Sequence, residues 1–167
     1  MPLLSVNTVT TFRWNLEEDI RNYAEAGISS IGIWRQKLSD HSIETISELL
    51  TEHQMKVSQL FWAGGFTGVD GRSFDESLAD AKKAIVEAAV LRAGCLSIIS
   101  GGQIRHTPRY ARKLFLDAMH ELIPIARQNN VRLAVEPMHP NCSAAITWHH
   151  SICDYLDTLD SIGSDWL

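Results

Sequence analysis

The stretch Val131 to Pro140, VRLAVEPMHP, decides the fold. Val131, Leu133, Ala134 and Val135 make a short apolar run, too brief for a helix. Its β-branched character is that of a strand covered on both faces in a parallel sheet. The run stops on Glu136-Pro137. A carboxylate that closes a buried strand is costly to desolvate unless a cation or proton donor meets it. Pro137 ends ladder pairing, so Glu136 is expected at the strand's C-terminal mouth, the edge where parallel α/β folds bind ligands. His139 adds an imidazole to the same short loop. The plainer alternative is a strand-ending glutamate in a surface turn.

Upstream of this stretch, strand and helix alternate. Leu3 to Thr11 reads as a strand, and Phe12-Arg13-Trp14 closes it. Asn15 with Glu18 resembles a capping box for a helix through Ala26, which Gly27 ends. Ile28 to Trp34 is the second strand, followed by Arg35-Gln36 and a helix over 42–53 striped by Ile43, Ile46, Leu49 and Leu50. Lys56 to Trp62 is the third strand, and Ser73 to Glu76 caps a helix to Ala93. Cys95 to Ser100 is the fourth, ending in Gly101, Gly102 and Gln103. Thr107-Pro108 opens a helix to about Gln128, which Pro124 should kink or break. Downstream, Ala144 to Ile162 reads as a fifth helix, and Ser164 to Leu167 as the approach to a sixth strand.

Five such repeats imply a parallel sheet with right-handed crossovers. An open nucleotide-binding sheet would carry a glycine-rich phosphate loop after its first strand, and neither G-x-G-x-x-G nor G-x-x-x-x-G-K-[ST] occurs. Instead every strand ends in an aromatic or polar cluster. A barrel that gathers its strand ends around one pocket explains that better, so the expectation is an incomplete (β/α) barrel of the TIM type. The 167 residues suit one domain with a sizeable core, and 45% hydrophobic with 21% charged residues is ordinary globular composition. A net charge of −5 argues against a broad nucleic-acid-binding surface. No apolar run nears the roughly 20 residues needed to span a membrane. The start MPLLSVNTV lacks a charged segment followed by a long apolar one, so a cytoplasmic protein is expected. Cys95, Cys142 and Cys153 share no metal-type spacing and read as reduced, semi-buried thiols.

With these strand ends assembled, the chain resembles the sugar phosphate isomerase/epimerase family, the xylose-isomerase-like barrels. The residues that carry the resemblance are VRLAVEPMHP, the glycine-ended strands VSQLFWAGGFTG (57–68) and LSIISGGQ (96–103), and the early GIWR (32–35). The resemblance implies a divalent metal (Mn, Mg, Co or Zn) held by side chains from several later strands, and a proton shuttled next to a carbonyl. It makes Glu136 the first metal-ligating glutamate and, as in many members, an acid/base residue. The other ligands, an Asp, a His and a second Glu from strands six to eight, would lie beyond Leu167. The chain is therefore expected to be about five of the eight βα units, truncated before strand six. The loop from Asn141 to Ile146 lacks the charged pair that relatives carry near its end.

Several further residues have two readings. Trp14, Trp34 and Trp62 either wall a sugar pocket or pack at barrel ends. His139 and Gln103 either contact substrate or order their loops. Arg13 and Arg35 either bind a phosphate or polyol or coat a surface. His149-His150 lies inside the fifth helix, where neighbouring side chains diverge, and makes a poor metal pair. His41, His53, His106 and His120 read as surface residues. The expected substrate is a small sugar, keto-sugar, sugar phosphate or polyol. Competing functions are a polyol dehydratase on the same barrel and a split, non-catalytic fragment that needs a partner. Endonucleases of this fold rely on a histidine-rich zinc cluster that the earlier strand ends lack. Unpaired first and fifth strands, with Val131, Leu133, Val135 and Ile98 on under-packed inner faces, predict self-association or pairing with a C-terminal half.

Overall fold

The computed structural model describes residues 4–103, 106–139, 141, 146–148 and 151–167. Five strands lie parallel in the order β1 to β5: β1 (Val6–Asn7), β2 (Ser30–Trp34), β3 (Lys56–Gly64), β4 (Leu96–Ile99) and β5 (Leu133–Val135). Between them run α1 (Leu16–Glu25), α2 (Ile43–Glu52), α3 (Phe74–Val90) and α4 (Pro108–Gln128), and α5 (Ile152–Ile162) follows β5. A 3₁₀ segment, Arg35–Asp40, leaves the end of β2. This is the strand-helix alternation of a partial barrel. The helix starts are set locally. Asn15 and Glu18 close a reciprocal capping box, as do Ser73 and Glu76, while Ser42 and Thr107 each accept one backbone N–H.

The register sorts the two faces of the sheet. Leu60, Leu96 and Leu133 lie side by side, as do Ala63, Ile98 and Val135, and all are buried. They belong to the core formed with Leu16, Ile20, Ile46, Phe115 and Leu122 of the helices. Val131, Leu133, Val135 and Ile98 are therefore not under-packed inner residues: the helix layer covers them. The opposite face carries Asn7, Gly32 and Gln59 in one row. A second row holds Trp34, Phe61, Ser97 and Ala134. A Cβ at Gly32 would sit 3.1 Å from Asn7 Nδ2 and 3.3 Å from Gln59 Cγ, so those side chains would have to give way by a few tenths of an ångström.

Other expectations need correction. β1 pairs through only two residues, because the Thr8 hydroxyl accepts the Trp34 N–H and the chain then turns through Thr10 and Thr11. α4 runs unbroken through Pro124. That proline is exposed, so water can satisfy the carbonyl it orphans while Leu122 and Ala126 stay anchored. The fifth helix begins at Ile152 rather than Ala144. The Thr147 hydroxyl is buried on Ser100 Oγ, and Thr147 bridges Gly101, which holds the segment extended along the end of β4. Cys95 is half-buried, but Cys153 is exposed in the first turn of α5. His106 is no surface residue, since its Nε2 lies 2.9 Å from the Thr67 carbonyl. Cys142 and His149-His150 lie outside the described residues. At β5 the Leu133 N–H donates to the Trp166 carbonyl, so the approach to a sixth strand meets this edge. No helix among the described residues is long and apolar enough to cross a membrane.

Candidate active site

Glu136 stands two residues past Ala134, and side chains in a strand alternate faces, so it continues the inner row of the sheet. Its N–H still reaches the Ile98 carbonyl at 3.2 Å, one step beyond the assigned strand, and Pro137 ends the ladder there. The carboxylate lines a trough of about 390 Å³ with Asn7, Gln59, Phe61 and Ser97. It is half-buried, and burial alone pushes its pKa up. Among the described residues no donor or cation meets it. The other polar groups of the trough are uncharged, and Ser97 Oγ points to Gln59 Oε1 at 3.4 Å.

A second cavity, about 530 Å³, opens at the ends of β2 and β3 against the 3₁₀ segment and α3. Trp34 and Trp62 both line it, and Phe61 lines this cavity and the trough alike. Its floor is an ion network. Arg35 donates to Asp80 at 2.8 Å and to Glu87 at 2.6 Å; Arg72 donates to the same Asp80 oxygen at 3.0 Å and to Asp70. Desolvation works against the Asp80 charge, but the two guanidiniums outweigh it and hold the carboxyl below its ordinary value. Arg35 is accordingly neither a surface-coating arginine nor a free phosphate ligand.

Trp34 and Trp62 thus come together, while Glu136 sits across Phe61 from them. Trp14 is 39% exposed and packs on Tyr23 at 6.4 Å between ring centroids. Gln103 is half-buried and lines neither cavity. His139 is exposed, and its Nδ1 accepts the Asn141 N–H at 3.2 Å, a contact that orders the loop. Sequence reading missed Asn7, Gln59 and Ser97. No signal within a single strand marks them, since Asn7 and Gln59 have the polar neighbours Thr8 and Ser58, and only the pairing register aligns the three. Sequence reading also missed the Asp80 and Arg72 network, whose Arg35 lies 45 residues from Asp80 and 52 from Glu87. Among the described residues no group of three His, Cys, Asp or Glu side chains is placed to hold a metal ion.

The xylose isomerase-like TIM barrel model matches residues 20–167. The chain belongs to that family. Its xylose isomerase-like architecture recurs in a protein from Sinorhizobium meliloti 1021, with 25% identity over 96% of this chain and a TM-score of 0.85. It recurs in an IOLI protein whose crystal structure holds a zinc atom, with 20% identity over 99% of the chain and a TM-score of 0.81. An L-ribulose 3-epimerase shares 16% identity over 99% of the chain, with a TM-score of 0.79. Other xylose isomerase-like neighbours are named as a probable dehydratase and an AP endonuclease of family 2. The chain spans about 60% of the first two structures and 59% of the epimerase. No curated protein matches the sequence.

Proposed function

We propose that this chain forms the β1 to β5 side of the active site of a metal-dependent isomerase or epimerase acting on a sugar or keto-sugar. The observation that carries the reading is Glu136: a half-buried carboxylate at the strand mouth, raised in pKa by burial and met by no partner among the described residues. Such a group is poised to take a proton from a carbon next to a carbonyl and to return it. The amides of Asn7 and Gln59 and the Ser97 hydroxyl offer hydrogen bonds that orient substrate hydroxyls in the same trough. The unpaired carboxylate also fits a divalent cation; a bound ion supplies polarisation of the substrate carbonyl. Glu136 is the group on this chain that would hold it, and its remaining ligands belong to strands outside the five described. Those strands come from a further segment or a second copy, and the working compartment is the cytoplasm.

A dehydratase of cyclic polyols is the second reading. It begins with the same proton removal, and a probable dehydratase shares the architecture. Solvent exchange separates the two. The full-length gene product, with Mn²⁺ and a ketose such as L-ribulose or D-fructose in D₂O, is expected to place deuterium on the carbon next to the carbonyl. Glu136→Gln should slow this by about 10²-fold or more. Unchanged exchange in that variant removes Glu136 from the chemistry, and loss of water from a polyol without exchange into a ketose favours the dehydratase.

A further inference from the structure

We infer that the substrate of this site is an uncharged glycoside or disaccharide, whose second ring rests in the cavity walled by Trp34 and Trp62. The inference rests on the proposal above and deepens it. Its geometric basis is the inner row Trp34, Phe61, Ser97, Ala134, with Glu136 one step above Ala134. Adjacent strands lie about 4.8 Å apart, so the row from β2 to β5 spans roughly 14 Å. A pyranose ring is about as wide as one strand spacing. A single ring at Glu136 therefore leaves the cavity at β2 and β3 unfilled, whereas two linked rings cross Phe61, the side chain common to both spaces.

The electrostatics select the class of ligand. Each cation lining the tryptophan cavity already has a carboxylate: Arg35 has Asp80 and Glu87, Arg72 has Asp70 and Asp80, and Lys83 has Glu87 at 3.6 Å. Among the described residues no cation lines the trough at Glu136. An anionic group entering the tryptophan cavity would meet spent guanidiniums, a poor exchange for its hydration shell. A neutral sugar loses less water. It finds indole faces for its C–H surface, and Gln36 and Ser39 for its hydroxyls. The volume of about 530 Å³ lies within the ~300–1,000 Å³ range of small-molecule sites.

Calorimetric titration of the full-length protein with glucose, cellobiose, maltose and glucose 6-phosphate tests this. At least one disaccharide should bind about tenfold more tightly than glucose, and glucose 6-phosphate no better than glucose. Trp34→Ala should bring the disaccharide-to-glucose ratio to about one. Ser39→Phe, an exposed position that fills the cavity without disturbing the core, should do the same if the first variant folds badly. A ratio near one in the unaltered protein overturns the inference, and so does tighter binding of glucose 6-phosphate than of both disaccharides. Solvent exchange depends on Glu136 and not on this ratio. Disaccharide preference without exchange therefore supports the cavity's assignment while sinking the isomerase reading, and exchange without the preference does the reverse.

Discussion

Replacing Glu136 by Gln should make the chain more stable at neutral pH. The carboxylate is half-buried in a trough whose other polar groups are uncharged, and burial is the sole cause of its raised pKa. Gln keeps the shape and removes the charge, and a neutral amide costs less to desolvate. Relief of a local penalty of this kind typically gives about 0.5–2 kcal/mol. At this size each kcal/mol moves the midpoint by about 2–4 °C, so a rise of roughly 1–8 °C is expected. The pH dependence has a definite sign. A carboxyl whose pKa is higher folded than unfolded carries no penalty below its unfolded value of about 4.3. The penalty grows as pH rises through the raised folded value. The gain from the variant should therefore be full near pH 7.5 and vanish toward pH 4. Thermal melts across that range, by circular dichroism on both proteins, read it directly. A lower midpoint for Glu136→Gln at pH 7.5 would show that the carboxylate is held by a stabilising partner, and the orphan-acid reasoning would fail.

Three other perturbations probe the frame that presents the site. Lys37→Met removes the partner of Asp19, a pair only 7% and 0% exposed, and also the donor to the Thr11 carbonyl. A loss of about 3–5 kcal/mol is expected by chemical denaturation; it should shrink in acid, because burial already raises Asp19 and protonation relieves the stranded charge. A loss below about 1 kcal/mol would mean that the pair is solvated. Gly64→Ala puts a Cβ against the Ile99 carbonyl at a φ of +112°, and should cost at least about 1–3 kcal/mol, whereas an unchanged midpoint would contradict the packing of β3 on β4. Light scattering after size exclusion should show a species larger than 18.7 kDa and insensitive to salt, since β1 lacks an outer neighbour among the described residues; a monodisperse monomer would refute self-association.

The alternation of strands and helices was legible because its signals are local. Capping pairs three residues apart, Gly27 after α1 and Pro108 opening α4 all act within one turn of chain. Local signals also misled where tertiary contacts overrode them. Pro124 reads as a break, yet its place on the solvent side of α4 leaves the helix intact. The sequence from Ala144 reads as helix, but the helix begins at Ile152, and a buried Thr147–Ser100 hydrogen bond holds Thr147 against the end of β4.

The position of Glu136 could be read because a charge at the end of an apolar run, followed by proline, has few places to go. The rest of the site could not. Asn7, Gln59 and Ser97 are unremarkable one at a time, and only the register of three separate strands turns them into one wall. Arg35 meets Asp80 and Glu87 across 45 and 52 residues, a pairing that no spacing rule forecasts. The same cause explains the misplaced inner face. VRLAVEP has its large side chains at alternate positions, Val131, Leu133 and Val135, and periodicity alone does not say which side the helices take. Once α4 and its buried Phe115 and Leu122 claim those side chains, Ala134 and Glu136 are left facing inward. The small residue leaves space for a substrate, and the acid sits at its rim. The core thus dictates the direction of the catalytic candidate: shifting β5 by one residue would bury the carboxylate among the helices and take it out of the trough.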